Sequence, residues 1–266
     1  MNEAVNEAKV GFLGFGNMAQ AIARGLLLKK AIPANQIYAY DILQENLHAA
    51  CQQLGTNACP SAINLTENAD IIVIAVKPHL VAGVVEPLKK QLKGKILLSI
   101  AAGIYFNDYQ QMLLPGTHHI STVPNTPVSV GEGIIICESR HNLTDEEYEL
   151  LRAIFSPIGR MVELDSKQFS VGGTLSGCGP AFAAMFIEAL ADGAVKNGLP
   201  RPLAYELASQ MLAGTAKLQL ETGAHPGVIK DTVCSPGGTT IVGVSTLERS
   251  GFRSAVIDAI DAIEHK

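Results

Sequence analysis

Short apolar segments alternate with amphipathic ones over the first 165 residues of the chain. Residues 71–76 are apolar at consecutive positions, which is typical of a central parallel strand covered by helices on both faces. Candidate strands are 9–13, 37–40, 70–76, 95–100, 119–123, 133–138 and 160–164, and segments with helical spacing are 18–28, 42–54, 80–92 and 145–155. The alternation predicts a doubly wound α/β domain over residues 1–165.

After residue 165 the pattern changes and no further strand is predicted. Helical spacing covers residues 180–197 and 202–222, and a C-terminal stripe contains Phe252, Val256, Ile257, Ile260 and Ile263. We therefore expect an all-helical domain over residues 166–266. Its long apolar faces favour a homodimer, because exposed apolar area of this kind usually marks an interface. An ordinary intramolecular helix bundle is the alternative.

Composition excludes several classes of protein. Hydrophobic residues make up 47% of the 266 residues and charged residues 17%, which excludes intrinsic disorder. A net charge of −5 argues against nucleic acid as a partner. The longest nearly apolar run, 96–106, is shorter than the roughly 20 residues of a membrane span. We therefore predict no membrane segment.

The N-terminal residues and the cysteine spacing predict a cytoplasmic protein, and the histidine spacing predicts no metal site. Residues 1–9 contain Glu3 and Glu7 and no apolar stretch, so no signal peptide is predicted. The five cysteines lack CxxC spacing, which is typical of reduced thiols in a cytoplasmic protein. The seven histidines show no metal-ligand spacing, and no metal is expected.

The first candidate binding motif directly follows the first predicted strand. Gly14, Gly16 and Ala19 form a G-x-G-x-x-A pattern that opens a predicted helix. The first glycine permits a tight turn, the second lets the backbone approach a pyrophosphate, and the alanine keeps helix and strand close. The helix N-terminus also favours phosphate. The motif in this context predicts a dinucleotide-binding site.

Asp41 closes the second predicted strand, 22 residues after Ala19. An acid at this place typically accepts hydrogen bonds from the adenosine ribose and repels a 2′-phosphate, which favours NADH. No arginine lies between Arg24 and Arg140. The alternative is a solvated aspartate that caps the next helix.

Three further segments follow strands, where ligands bind in open α/β sheets. Ala75, Val76, Lys77 and Pro78 end one strand, and Lys77 either faces the cofactor or is solvated. Ala101 belongs to a run of small residues that leaves room for a nicotinamide ring. Asn125 follows a third strand and offers both donor and acceptor atoms. Each segment taken singly is also consistent with a simple turn.

Residues 235–240 read SPGGTT and lie between two helical stretches. Two glycines and two hydroxyls at a helix start can form a backbone nest for an anion such as a substrate carboxylate. A rigid turn between helices is the alternative, since Pro-Gly pairs commonly mark turns. No GxSxG sequence is present, so nothing favours a serine hydrolase.

Together these segments resemble pyrroline-5-carboxylate reductase. The matching stretches are GFLGFGNMA (11–19), AVKP (75–78), SIAAGI (99–104), VPNTPVSVGEG (123–133), LSGCGPAF (175–182), FIEALADGAV (186–195) and CSPGGTTI (234–241). The resemblance implies a Rossmann-like domain followed by an all-α dimerisation domain. It also implies reduction of 1-pyrroline-5-carboxylate to L-proline with NADPH or NADH, in a homodimer or a ring of dimers.

The resemblance also implies roles for individual residues. Ser235, Gly238 and Thr239 would hold the substrate carboxylate, and Thr240 would bond the ring nitrogen and relay its proton. Asn125 and Thr232 align with positions that contact the cofactor. The complete set of expected cofactor residues is Leu13, Gly14, Phe15, Gly16, Asn17, Met18, Asp41, Ala75, Val76, Lys77, Pro78, Ala101, Asn125 and Thr232.

The chain departs from the family pattern at three positions. Val123 stands where many members have Met, Cys178 replaces a common Ser, and Asp41 stands where many carry a small polar residue with a basic neighbour. The alternatives are a β-hydroxyacid dehydrogenase or another NAD(P)-dependent imine or keto reductase. The former family places a catalytic lysine shortly after a Gly-x-Gly, and residues 180–188 here contain none. A non-catalytic dinucleotide sensor would have no use for the SPGGTT segment.

Overall fold

A computed structural model describes residue 5 and residues 7–265 of the chain. The predicted lack of a signal peptide concerns residues 1–9, of which residues 1–4 and 6 lie outside the described residues. The chain forms two compact units, Met1–Gly177 and Cys178–Lys266. The sequence-based boundary at 165/166 precedes the division between these units.

The first unit contains a sheet of eight strands. They are β1 Val10–Leu13, β2 Ile37–Tyr40, β3 Asn57–Ala58, β4 Ile71–Ile74, β5 Ile96–Ser99, β6 His118–Pro124, β7 Gly133–Glu138 and β8 Gly159–Leu164. Their order in the sheet is β3-β2-β1-β4-β5-β6-β7-β8. The chain therefore reverses its direction of winding between β1 and β4, which is where dinucleotides bind in doubly wound sheets.

Within residues 8–177, all of which the structure describes, seven α-helices accompany the strands. They are α1 Asn17–Leu28, α2 Gln44–Leu54, α3 Ala62–Asn68, α4 Val81–Leu92, α5 Phe106–Met112, α6 Asp145–Phe155 and α7 Ser166–Gly173. Helices α3 and α5 and the two-residue strand β3 were not predicted. Both helices are short, and their start signals are local: Ser61 accepts the N–H of Asn64, and Asp108 accepts the N–H of Tyr105. Seven residues are too few for an amphipathic period to stand out.

Strand β4 shows why the apolar runs are continuous. Ile71 and Val73 belong to the core on one face of the sheet, whereas Ile72 and Ile74 belong to the core on the other. All four are fully buried. Successive side chains of a strand point to opposite faces, so a strand with helices on both faces is apolar throughout.

Strand β7 runs antiparallel to β6, and β8 returns parallel to β7. Residues 125–132 join β6 to β7, and this connection is too short for a crossover that would bring β7 back parallel. The remaining neighbours in the sheet are parallel.

In the part of the second unit that the structure describes, the regular secondary structure is all helical. Its helices are α8 Gly179–Lys196, α9 Arg201–Thr222, α10 Pro226–Thr232, α11 Thr239–Arg249 and α12 Phe252–Glu264. A π-helical turn, Thr174–Cys178, joins α7 to α8. The predicted fold class, a doubly wound α/β sheet followed by an all-helical region, is confirmed.

The search for uninterrupted apolar runs passed over one helical stretch, although nothing in the structure overturns the prediction of no membrane segment. The helical stretch Ser166–Lys196 is long and apolar enough to cross a membrane. The sequence estimate counted uninterrupted apolar residues and so overlooked a helix in which Gly, Ala and Ser separate the large ones. Most of this stretch is exposed in the single chain.

Candidate active site

The turn after β1 requires a glycine at position 14. Gly14 has φ +91°, and a β carbon there would lie 2.8 Å from the carbonyl oxygen of Ala75. Its N–H donates to the carbonyl oxygen of Tyr40 over 2.9 Å. The turn is therefore held between the ends of β2 and β4, at the point where the winding reverses.

Gly16 leaves open space at the start of α1. A β carbon there would have no atom within 4 Å, and Asn17 next to it is exposed. Gly16 is the N-cap of α1 and has no side chain to occupy the N–H groups of the first turn. A pyrophosphate can approach this exposed helix N-terminus, because Gly16, the residue before the helix, leaves the space around it open. The residues present therefore fit a dinucleotide cofactor.

Two side chains hold this turn in place. Oδ2 of Asp41 accepts the N–H of Phe15 over 2.8 Å, and Nε2 of Gln20 donates to the carbonyl oxygen of Phe15 over 2.8 Å. Oδ1 of Asp41 accepts the N–H of Leu43 over 3.0 Å. The structure thus brings Asp41 together with the turn after β1, as a cofactor site requires. Sequence reasoning missed Gln20, because an amide at a half-buried helix position carries no signal of its own.

The end of β4 borders the same turn. The N–H of Ala75 donates to the carbonyl oxygen of Leu13 over 2.8 Å, and a β carbon at Gly14 would lie 2.8 Å from Cγ1 of Val76. Lys77 and Pro78 follow and are exposed. Lys77 therefore lies at the rim of the candidate site.

Beyond β5, Ala101 is buried and its N–H donates to Oγ of Ser99 over 3.2 Å. The same hydroxyl lies 2.7 Å from the hydroxyl of Tyr109, and Oγ1 of Thr122 donates to the carbonyl oxygen of Ser99 over 2.9 Å. Burial raises the pKa of Tyr109 to about 12, so this phenol stays protonated. We interpret these hydroxyls as a support for the backbone at Ala101.

Asn125 is buried at the end of β6, with both ends of its carboxamide engaged by the protein. Its Oδ1 accepts the N–H of Ile134 over 2.9 Å, and its Nδ2 donates to the carbonyl oxygen of Ser176 over 3.0 Å. Ser176 in turn donates its hydroxyl to the carbonyl oxygen of Gly172. The contacts of Asn125 in the structure are therefore structural ones. Sequence reasoning assigned no role to Ser176.

The SPGGTT segment, residues 235–240, lies in the second unit and ends in helix α11. Gly237 has φ +70°, and the N–H of Gly238 donates to the carbonyl oxygen of Ser235 over 3.0 Å. A β carbon at Gly238 would lie 2.4 Å from Oγ of Ser235. The two glycines therefore allow a tight turn that keeps the Ser235 hydroxyl at the start of α11.

The start of α11 has backbone and side-chain groups that can bind an anion. Gly238 is its N-cap without a side-chain bond, and Ser235, Thr239 and Thr240 are exposed. The first turn of a helix leaves N–H groups without an intrahelical partner, and the three residues with hydroxyls lie within residues 235–240. Thr232 ends α10 and donates its hydroxyl to the carbonyl oxygen of Ile229 over 2.7 Å. Among the described residues, no three His, Cys, Asp or Glu side chains are placed to hold a metal ion.

Both halves of the chain match known protein families. Residues 166–266 match the family model for pyrroline-5-carboxylate reductase dimerisation, and residues 9–103 match that for coenzyme F420-dependent NADP oxidoreductases. The pyrroline-5-carboxylate reductase of Treponema pallidum is 44% identical, over 95% of this chain and 97% of that protein. That of Arabidopsis thaliana is 41% identical, over 96% and 92%.

A solved structure shows the same fold over nearly the whole length. The pyrroline carboxylate reductase of Plasmodium falciparum with NADP bound has a TM-score of 0.88 and 32% identity, over 97% of this chain and 96% of that one. This chain belongs to the pyrroline-5-carboxylate reductase family. Membership confirms the resemblance drawn from the sequence motifs.

Membership in the pyrroline-5-carboxylate reductase family also accounts for the exposed helices. The dimerisation region of the family covers residues 166–266, which include α7 to α12 and the SPGGTT segment. Helix α9 alone exposes Leu207, Met211, Leu218 and Leu220. A region that associates with another copy has a physical reason to carry such side chains on its surface.

Proposed function

We propose that this reductase converts 1-pyrroline-5-carboxylate to L-proline and uses NADH or NADPH as its reductant. One observation carries the proposal. Pyrroline-5-carboxylate reductases match this chain over nearly its whole length. The same chain contains the turn with Gly14 and Gly16 and the start of α11 with its hydroxyl side chains. Reduction of the imine needs a hydride at the imine carbon and a proton at the ring nitrogen.

The residues of the first unit bind and orient the cofactor, which supplies the hydride when bound. Gly16, Asn17 and Met18 at the start of α1 hold the pyrophosphate through backbone N–H groups, and Gly14 keeps the turn tight. Asp41 accepts hydrogen bonds from the adenosine ribose. The other expected contacts are Leu13, Phe15, Ala75, Val76, Lys77, Pro78, Ala101 and Asn125, together with Thr232 from the second unit.

Besides its expected contact with the cofactor, Asn125 has a structural role in this proposal. Both ends of its carboxamide bond the protein backbone, so it sets the position of the chain after β6. Its remaining N–H and the backbone around it are what a cofactor would meet.

The substrate is held by the start of α11. The hydroxyls of Ser235 and Thr239 and the N–H of Gly238 bind the carboxylate, which favours the positive end of the helix dipole. The Thr240 hydroxyl hydrogen-bonds the ring nitrogen and passes it a proton from solvent as the carbon receives the hydride. Holding both reactants in register supplies much of the acceleration, which explains why few acid–base groups are needed.

The reductase acts as a homodimer in the cytoplasm, with residues 166–266 as the interface, and rings of dimers are an expected larger assembly. Its partners are the small molecules pyrroline-5-carboxylate and proline, and neither nucleic acid nor membrane is involved. The exposed apolar side chains of α9 and the acidic net charge support this view.

The test is a turnover assay on the purified full-length chain. Oxidation of NADH and of NADPH is followed by absorbance in the presence of pyrroline-5-carboxylate, with a six-membered cyclic imine acid for comparison. We expect turnover with at least one cofactor and a preference for the five-membered ring. Folded protein that oxidises neither cofactor would exclude the proposed reaction.

A further inference from the structure

We propose that the adenosine end of the cofactor site selects NADH over NADPH, and that Asp41 is the residue that determines the selection. This inference rests on the proposed function, because it concerns the same cofactor site. It is carried by the position of the Asp41 carboxylate, the distribution of cations around it and the side chains next to it.

The Asp41 carboxylate has a fixed position beside the turn that holds the pyrophosphate. Its Oδ2 accepts the N–H of Phe15 over 2.8 Å, and its Oδ1 accepts the N–H of Leu43 over 3.0 Å. The side chain of Gln44 also donates to the carbonyl oxygen of Asp41 over 2.5 Å. The carboxylate therefore cannot swing away from a cofactor without breaking bonds to two backbone groups.

This arrangement leaves room for a ribose with free hydroxyls. Each carboxylate oxygen has about two lone pairs, and each uses one for a backbone N–H. The remaining lone pairs can accept the 2′- and 3′-hydroxyls of an adenosine ribose. A 2′-phosphate lacks the hydroxyl proton and carries roughly −1.5 to −2 charge, as phosphate monoesters do near neutral pH, so it would be repelled.

Cations that would compensate a 2′-phosphate are missing from the neighbouring sequence. No Lys or Arg occurs between Lys30 and Lys77, a stretch that contains β2, α2, β3, α3 and β4. Lys77 follows β4, which lies two strands from β2. Arg24 on α1 donates to Oε1 of Gln20 over 3.4 Å, and Gln20 is bonded to Phe15. Arg24 is thus linked to this turn through Gln20, which is its hydrogen-bond partner.

The residues after Asp41 are apolar and exposed. Ile42 is 79% exposed and Leu43 is 60% exposed, next to a carboxylate at the carboxyl end of β2. Large apolar side chains with such exposure usually mark a binding surface when they adjoin a site. Their occupant in this proposal is the adenine ring, which needs a flat apolar contact and no charge. One carboxylate with two apolar neighbours matches adenosine with an unmodified ribose.

The test compares two probes that differ only in the 2′-phosphate. Adenosine 5′-monophosphate and adenosine 2′,5′-bisphosphate are titrated into the full-length protein by calorimetry, and kcat/KM is measured with NADH and NADPH. We expect the monophosphate to bind about tenfold more tightly or better, because of repulsion at Asp41, and NADH to be preferred. In Asp41→Ser both ratios should move toward the 2′-phosphate by about tenfold.

Glu45→Gln is the matched control, since it removes one negative charge from an exposed position at the start of α2. We expect it to keep the wild-type ratios. If Asp41→Ser does not fold, Asp41→Asn serves as the second variant, because its Oδ1 can still accept the N–H of Leu43.

Three results would overturn the inference. The first is tighter or equal binding of the bisphosphate by the wild-type protein, and the second is binding of neither probe. The third is an unchanged ratio in a folded Asp41 variant. Failure of the proposed function is distinct: it would be loss of turnover with pyrroline-5-carboxylate while the two probes still bind with the expected ratio.

Discussion

Asn125 and Ser176, 51 residues apart in the sequence, are joined by a hydrogen bond of 3.0 Å from Nδ2 of Asn125 to the carbonyl oxygen of Ser176. The other end of the same carboxamide accepts the N–H of Ile134. Both Asn125 and Ser176 are buried. One side chain therefore links the end of β6 to β7 and to the π-helical turn that precedes α8.

Replacement of Asn125 with alanine tests this link. Asn125→Ala leaves the buried carbonyl oxygen of Ser176 and the partly buried N–H of Ile134 without their partner, so we expect the free energy of unfolding to fall by about 2–4 kcal/mol. Chemical denaturation measures the loss. Asn197→Ala is the control, since Asn197 makes a comparable bond to the carbonyl oxygen of Gly193 on the exposed surface. Equal effects of the two replacements would contradict the structural role of Asn125.

The two glycines of the turn after β1 should respond differently to the same added methyl group. Gly14→Ala places a β carbon 2.8 Å from the Ala75 oxygen at φ +91°, so we expect a loss of about 2–4 kcal/mol in stability. Gly16→Ala meets open space at φ −76°, so its Tm should shift by less than about 2 °C.

Binding separates their roles further. We expect Gly16→Ala to weaken NADH binding by about tenfold or more, because its β carbon enters the place of the pyrophosphate. Titration by fluorescence measures this affinity. An unchanged affinity in Gly16→Ala would show that the pyrophosphate does not lie against this glycine.

Thr240 is predicted to supply the proton to the ring nitrogen. Thr240→Val keeps the shape of the side chain and removes the hydroxyl, so kcat should fall by about 10–1000-fold with little change in Tm. Thr246→Val is the matched control on the same helix, where the hydroxyl donates to the carbonyl oxygen of Val242. Wild-type kcat in Thr240→Val would remove Thr240 from the mechanism.

His119 makes the stability of the first unit depend on pH. Burial lowers the pKa of His119 below its ordinary value, against the opposing effects of a bond to the carbonyl oxygen of Phe106 and of nearby Glu138. The unfolded chain then binds a proton more readily than the folded one. Stability is fully present above the unfolded pKa of about 6.5 and is lost as the pH falls from there through the folded pKa.

Denaturation at a series of pH values from 5 to 8 checks this prediction. We expect the wild-type free energy of unfolding to increase with pH, and His119→Gln to flatten that increase. His48→Gln, at an exposed position, is the control and should retain the wild-type slope. A wild-type slope in His119→Gln would assign the pH dependence to other groups.

The exposed stripe of α9 should control assembly. Leu207, Met211 and Leu218 share one face of this helix and are about half exposed in the single chain. Met211→Glu would bury a charge in an interface, so we expect monomers at concentrations where the wild type is dimeric. Met211→Leu preserves the apolar surface and should remain dimeric. Sedimentation or light scattering measures the mass, and a dimeric Met211→Glu would place the interface elsewhere.

Much of the fold could be predicted because the signals are local. Seven of the strands were predicted from apolar runs, and the largest helices from their spacing, since burial on both faces leaves a continuous record in the sequence. Strand β3 and helices α3 and α5 were missed because they are too short to show a period. The count of apolar runs passed over the long helical stretch Ser166–Lys196, because small residues separate its large apolar ones.

The candidate site was predictable where a residue type is required by backbone geometry. Position 14 has a positive φ and no room for a β carbon beside Ala75, so it requires glycine, and the glycines of SPGGTT lie in a tight turn. Those demands restrict the sequence directly, and so the motifs were recognisable. The roles proposed for Ser235, Thr239 and Thr240 came from the family resemblance.

By itself, the sequence determined the strand and helix pattern, the family and the positions of the two glycine-rich turns, because each depends on neighbouring residues. Tertiary structure alone decided which distant groups meet. The Asp41 carboxylate reaches the N–H of Phe15, 26 residues away, and Asn125 reaches Ser176. Such contacts depend on strand order and on the path of the chain between elements, and a linear pattern holds no record of either.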